Sequence, residues 1–438
     1  MAVISGFPEY LPQARMVENR VLDILRETFE LHGFANIATR SLEPLEELSR
    51  KGEITKEVYV VRRLHAEEGA ADELGLHFDL TVPFARYVLD HAGHLAFPFR
   101  RYQIQPNWRG ERPQEGRYRE FTQADIDIVG QETLGFHHDI EVCLVMLEAL
   151  GHMHDEVGIP PVLMRINNRK VVQGFYSALG VSDPLAAIQI VDKLPKIGAA
   201  AVGEILSEQG VSADQVEKIL ALASIEARST DFVDAVRGFG LESDLMEAGL
   251  AELVGLFEAV HRRFPDNVVV DLKIARGLDY YTGSVFEVEL VGNEGLGTIS
   301  AGGRYDSLAT DGHHTYPGVG ISFGVTRVFA PLLSKGVLAA SRPVPSAVLV
   351  AVDSEETRYQ ADDVAAALRA RDIPCEVSPS AAKYGKQIKV ADRRGIPFVW
   401  FGGTSGQVKD IRTGEQTDAD AGTWSPPVED LRWSLVHA

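Results

Sequence analysis

Residues 99–130 read FRRYQIQPNWRGERPQEGRYREFTQADIDIVG, and both ends of this stretch alternate with the period of a β-strand. On the first arm Arg101, Gln103, Gln105, Asn107 and Arg109 share one face. On the second, Gln123, Asp125 and Asp127 lie opposite Ala124, Ile126 and Ile128. Gly110, Pro113 and Gly116 mark the connection as a loop, and Glu111, Arg112, Glu115 and Arg117 make it more charged than a simple turn. The spacing predicts a hairpin with an apolar back and a face of Arg, Gln and Asp. Such a face can be no more than a ribbon wetted by solvent, because antiparallel sheets commonly leave one side in water. Against this, Asp and Asn are depleted in strands, yet the face carries Asn107, Asp125 and Asp127. Arginine's planar fork takes phosphate or carboxylate oxygens two at a time. The hairpin is therefore a candidate site for a ligand bearing both anionic and N–H groups.

The chain around it has 438 residues, 45% hydrophobic and 24% charged, which predicts two to four globular domains. No apolar run is long enough to span a bilayer, so no membrane partner is expected. The N-terminus lacks an export pattern, and the expected location is cytoplasmic. Two cysteines, Cys143 and Cys375, suggest neither a disulfide framework nor zinc spacing and read as buried small hydrophobes. The net charge of −20 argues against a polyanionic partner. Residues 383–394, KYGKQIKVADRR, run the other way with five basic residues and one acid.

Upstream, Val17, Val21, Ile24, Leu25 and Phe29 have the spacing of an amphipathic helix over 11–29, with Gly33 after it. Residues 76–83 alternate again, with Phe78, Leu80 and Val82 on one side and Asp79 and Thr81 on the other, so a second strand is expected there. Residues 139–150 read as a helix with one buried face. From Pro184 to Phe264 the pattern is helical, with a start at Ser182-Asp183-Pro184 and a capping box at Ser212–Gln215. Strands return at Val268 and over 284–290, and GVGISFGVTRVFAPLL passes from glycines into a helix carrying Arg327. Residues 334–345 have linker composition. In the last hundred residues, apolar runs at 347–352 and 398–401 alternate with helices near 355–371 and 381–394, suggesting a parallel sheet with crossovers. Lys386, Lys389 and Arg393 fall on one face of the second of these helices, which is a solvated face or an RNA contact.

Several chemistries are excluded. Gly318, Gly320 and Gly324 lack dinucleotide-binding spacing, and no P-loop lysine or nucleophile elbow is present. The histidine pairs at 137/138 and 313/314 have no metal spacing and are expected at the surface. What remains is an antiparallel sheet bearing arginines and carboxylates. Arg109, Arg276 and Arg327 could converge on a polyphosphate, the last aided by a helix N-terminus. Asp79, Thr81, Gln123 and Asp127 could hold an ammonium group and a small polar side chain. Together these suggest activation of an amino acid by a nucleotide.

Residues 99–121 resemble motif 2 of class II aminoacyl-tRNA synthetases. ARGLDYYTGSVFEV (275–288) and SAGGRYDSL (300–308) are similar to the two signatures of the histidyl-tRNA synthetases, and GVGISFGVTRV (318–328) resembles motif 3. KYGKQIKVADRRGIPFVW (383–400) and VKDIRTGEQ (408–416) resemble that family's anticodon-binding domain. The resemblance implies an α+β fold: a class II antiparallel sheet of six to seven strands flanked by helices, a helical insertion and a C-terminal α/β domain. In these terms residues 1–172 and 266–334 form the catalytic core, 173–265 the insertion and 345–438 the anticodon-binding domain. It further implies a homodimer acting on L-histidine, ATP with Mg²⁺, and tRNA(His) through a histidyl-adenylate. Arg276 and Arg109 would be catalytic, with Arg109, Glu111, Arg117 and Arg327 binding ATP. Asp79, Thr81, Gln123, Asp127, Tyr280 and Tyr281 would bind histidine, and Lys386, Lys389 and Arg393 tRNA; no side chain is assigned to a metal. Three departures stand out: Arg40 in IATRSLE replaces the motif 1 proline, Asp79 stands where glutamate is common, and motif 3 reads GVTR. The rival implied function is a non-catalytic paralogue, either a regulatory subunit or a sensor of uncharged tRNA.

Overall fold

The computed structural model describes residues 4–49, 57–65, 73–274 and 281–437. The chain divides into two compact units, one of residues 1–8 and 22–330, the other of 9–21 and 331–438. The first is built on a nine-stranded sheet. In chain order its strands are β1 (Ala35–Asn36), β2 (Phe99–Trp108), β3 (Glu120–Val129), β4 (Val162–Asn168), β5 (Glu226–Ala227), β6 (Val268–Asp271), β7 (Tyr281–Leu290), β8 (Ser300–Tyr305) and β9 (Gly318–Gly324). Their order across the sheet is β1-β2-β3-β9-β8-β7-β4-β6-β5. Only β1/β2 and β4/β6 pair in parallel.

The expected hairpin is β2–β3, with Arg101 opposite Asp127, Gln103 opposite Asp125 and Gln105 opposite Gln123. On the back, Ala124, Ile126 and Ile128 continue into Phe323, Ile321 and Val319 of β9. All six are buried, and helix His137–Val157 packs against these two strands. Closing that much apolar surface supplies on the order of 2 kcal/mol per large side chain. The front face is not a wetted ribbon: Arg101, Gln103 and Asn107 are fully buried and Asp125 and Asp127 nearly so.

The first helix runs Pro12–Leu31 with Val17, Val21, Ile24, Leu25 and Phe29 buried. In the insertion, the Asp183 side chain accepts from the Ala186 amide beside Pro184, and the Ser212/Gln215 capping box is formed. Each such cap contributes about 1 kcal/mol.

Four expectations are corrected. Residues 76–83 are not a strand: Leu74–Leu76 is the central strand of a small three-stranded sheet, and helix Thr81–His91 follows. The Asp79 carboxylate accepts from the Val82 amide at 3.0 Å, so the residue that looked like one tooth of an alternation caps a helix. His138 is buried rather than superficial, with Nδ1 3.0 Å from Glu141, and burial lowers its pKa to about 4. The stretch 334–345 contains a strand, Leu338–Ala340, paired with Leu435–His437. Finally, the C-terminal sheet is mixed. Val348–Val350 pairs in parallel with Cys375–Val377 and Phe398–Phe401, but Ser405–Asp410 and Gln416–Asp420 extend it antiparallel. Those last two strands are largely polar and half-exposed, so no apolar period announces them. Cys143 and Cys375 are free and buried, as expected.

Candidate active site

The front face of the sheet floors a cleft of about 680 Å³. Asp79, Thr81, Arg109, Glu111, Arg117, Gln123, Asp127, Tyr281 and Arg327 all line it. Arg276 and Tyr280 lie outside the described residues. Lys386, Lys389 and Arg393 are in the second unit, exposed along helix Tyr384–Arg393 and lining a separate surface cavity of about 590 Å³.

Strand register makes one end of this cleft. Across the front face, Arg101 stands opposite Asp127, Asp127 opposite Gly320, and Gly320 opposite Gly303. The row thus runs from two charges into two positions with no side chain. A Cβ on Gly320 would lie 2.0 Å from Asp127 Oδ1, and one on Gly303 2.7 Å from the Tyr281 ring. The missing side chains leave a slot between a carboxylate and a tyrosine. Tyr305 reaches over Gly318 and donates its hydroxyl to Asp127 Oδ1 at 2.7 Å, while Arg101 Nη2 lies 2.7 Å from Oδ2.

The next row is a relay of amides and hydroxyls. Asn107 Nδ2 donates to Gln123 Oε1 at 2.8 Å, and Gln123 Nε2 donates to Ser322 Oγ at 2.6 Å. The Ser322 hydroxyl serves Asp125, whose carboxyl is pushed up to about 7 by burial; Arg101 pulls it down and Asp127 adds to the rise. Gln123 is therefore held in one orientation before any ligand arrives. At the side, Asp79 caps the helix whose first residue is Thr81, placing a carboxylate and a hydroxyl together as expected, though on a helix start.

The other end is cationic. Arg109 Nε donates to the Phe78 carbonyl at 3.0 Å, and its guanidinium lies 5.1 Å from the Phe121 ring centroid. Arg117 pairs with Glu111 at 3.2 Å. Arg327, in the first turn of helix Val325–Ser334, donates Nε to the Leu296 carbonyl at 3.2 Å. Burial lowers the Arg327 pKa, and Arg117 and Arg109 lower it further while Glu111 and Glu287 oppose them. Guanidiniums crowded until they repel one another are placed to receive several negative charges at once. Thr326 Oγ accepts from the Thr122 amide at 2.8 Å and so ties the Arg327 helix to the hairpin.

Sequence reasoning missed Tyr305, Ser322, Lys273 and the insertion residues Asp192 and Lys196, all of which line the cleft. The signal for Tyr305 was present in SAGGRYDSL, where a glycine pair precedes a tyrosine on a strand; the others had none. Arg40, at the motif 1 departure, pairs at 2.7 Å with Glu43, a fully buried carboxylate that also takes Arg86 at 2.9 Å.

A family model described as histidyl-tRNA synthetase matches residues 6–328, and one described as anticodon binding domain matches 346–420. The chain is 60% identical to the histidine–tRNA ligase of Cutibacterium acnes, covering 99% of this chain and 98% of that one. It is 54% identical to that of Micrococcus luteus, covering 100% and 99%. The crystal structure of histidyl-tRNA synthetase from a Nostoc species superposes with a TM-score of 0.82 at 34% identity, covering 96% and 97%. A Bacillus halodurans structure described as an ATP phosphoribosyltransferase regulatory subunit/histidyl-tRNA synthetase shares the fold at 20% identity, with a TM-score of 0.70 and coverage of 86% and 92%. Matched by that family's model over residues 6–328 and 60% identical to one of its members along almost its whole length, the chain belongs to the histidyl-tRNA synthetase family.

Proposed function

We propose that the protein ligates L-histidine to tRNA(His) in two steps. In the first, a histidine carboxylate oxygen attacks the α-phosphorus of ATP in line, the bond to pyrophosphate breaks, and histidyl-adenylate forms. In the second, a 3′-terminal ribose hydroxyl of the tRNA attacks the carbonyl carbon and AMP leaves. The observation that carries this reading is the row Arg101–Asp127–Gly320–Gly303 beside the Arg109–Arg117–Arg327 cluster. One end of the cleft suits a flat ring with N–H groups, and the other suits a polyphosphate.

Two anions must meet in the first step, so the chemistry is positioning plus fixed positive charge. Arg109 takes the α-phosphate, Arg276 the carboxylate and α-phosphate, and Arg327 the γ-phosphate, with Glu111 and Arg117 at the nucleotide. Glu111 and Glu287 both line the cleft and would be the carboxylates to hold a magnesium ion there. That ion would supply neutralisation of the phosphate charge. Asp79, Thr81 and Gln123 receive the α-amino group, and Asp127 and Tyr281, with Tyr280 adjacent, the imidazole. A pocket built on hydrogen bonds rejects an analogue lacking the partner atoms by roughly 10⁴ or more.

Lys386, Lys389 and Arg393 meet the tRNA anticodon region. The same reading makes the protein a cytoplasmic homodimer, with helix Pro12–Leu31 near the interface; light scattering should give about twice the 48.0 kDa of one chain. The division into a core of 1–172 and 266–334, an insertion of 173–265 and an anticodon-binding domain of 345–438 belongs to this proposal.

Aminoacylation of tRNA(His) tests the reading. Charging that requires histidine and ATP is the expected result. Histidine binding without charging would favour a regulatory or sensing role, against which stand the cleft-lining Arg109 and Arg327 and the anticodon-binding match.

A further inference from the structure

Arg101 is on the front face of the sheet but does not line the cleft. It has no exposed surface. Its Nη2 lies 2.7 Å from Asp127 Oδ2, and its Nη1 reaches the Asp125 carbonyl oxygen at 3.5 Å. Its guanidinium carbon stacks 4.2 Å from the centroid of Phe84, a residue of the helix that begins at Thr81. A charge this deep is expensive to desolvate, and replacing a buried ion pair with apolar groups of similar volume is often neutral or stabilising. Packing over Phe84 could be done by methionine or leucine. What no apolar side chain could do is hold the Asp127 carboxylate from behind. Asp125 is buried two residues away, so without the guanidinium two carboxylates would share an enclosed site.

We propose that Arg101 is a positioning residue for histidine recognition, fixing the charge and orientation of Asp127 from outside the cleft. The inference rests on the histidine-binding reading of that cleft. Arg101 Nη2 lies in ion-pair contact with Asp127 Oδ2 and the Tyr305 hydroxyl donates to Oδ1; each carboxylate oxygen has two acceptor sites, so the carboxylate can also receive the ligand's ring N–H. Arg101 also spans from β3 to the helix carrying Thr81, tying the imidazole end of the slot to its amino end.

The test uses full-length Arg101→Lys and Arg101→Met. Histidine and ATP KM and kcat are read by ATP–pyrophosphate exchange, the histidine Kd by calorimetry, and Tm by thermal melting. Arg101→Met should raise histidine KM and Kd on the order of 10–100-fold, the size typical of losing a group that orients a ligating side chain, and leave the ATP KM in place. Arg101→Lys keeps the charge but loses the fork, so its histidine KM should fall between those of wild type and Arg101→Met. If Arg101→Met does not fold, a raised histidine KM with an unmoved ATP KM in Arg101→Lys supports the proposal in its place. Wild-type histidine KM and Kd in the folded variants would overturn the proposal. So would histidine KM, ATP KM and Tm all moving together, the mark of a packing role. Wild-type protein with no histidine-dependent exchange would instead remove the parent reading, and this one with it.

Discussion

The front face of the large sheet and the outer face of helix Tyr384–Arg393 are both rich in charge, and they hold it in opposite ways. On the sheet, Arg101 is fully enclosed against Asp127, and Asp125 is buried deeply enough to be pushed up to about 7. On the helix, Lys386, Lys389 and Arg393 are exposed, and Arg393 Nε reaches back to the Lys389 carbonyl of its own helix, at 3.3 Å. Buried charge costs desolvation unless it is matched, so it persists where geometry is fixed in advance. Exposed charge is screened and adaptable, and serves long-range attraction to a phosphate backbone. The first arrangement suits selecting a small ligand atom by atom, the second gripping a large polyanion.

If that contrast is sound, changes on the two faces should separate by reaction step. Arg327→Ala or Arg109→Ala should lower histidine-dependent ATP–pyrophosphate exchange on the order of 10²–10³-fold; loss of tRNA charging with exchange intact would break the contrast at once. Replacing Lys386, Lys389 and Arg393 together by Ala should raise the tRNA KM about tenfold and shallow its salt dependence by up to about three units of slope. Exchange without tRNA should not change.

A third test concerns the buried face alone. The Asp125 carboxyl is pushed from 3.8 to about 7 in the fold, so the folded protein binds that proton more tightly than the unfolded chain. Its contribution to stability is complete below about pH 4 and is lost as pH rises through 7. Asp125→Asn should flatten the Tm profile over that window, and an unchanged profile would place the carboxylate in a wetter site than its burial indicates. The smallest effect belongs to exposed pairs such as Lys218–Asp214, 2.8 Å apart on one helix face. Lys218→Ala should cost no more than about 0.5 kcal/mol by chemical denaturation.

Much of this was legible in the chain. Period-two alternation set the hairpin and which side chains share its face, and capping chemistry set two helix starts in the insertion. Burial of the polar face was not legible, because alternation says which residues point the same way and nothing of what covers them. Asp79 misled for a related reason: over a few residues a capping Asp followed by Leu-Thr-Val-Pro reads like a strand, and only the Val82 amide at 3.0 Å decides. Tyr305 meets Asp127 only once β8, β9 and β3 are side by side, a register that no local pattern specifies. The resemblance supplied the chemistry that the arginines and carboxylates alone left open.

On this reading Asp127, set beside two glycines in the sheet register, selects histidine for activation at the arginine cluster. The decisive measurement is histidine-dependent ATP–pyrophosphate exchange by wild type and by Asp127→Ala. Robust exchange is expected in wild type and none above background in the variant, with the variant's fold intact by circular dichroism. Near-normal exchange by Asp127→Ala would refute the assignment.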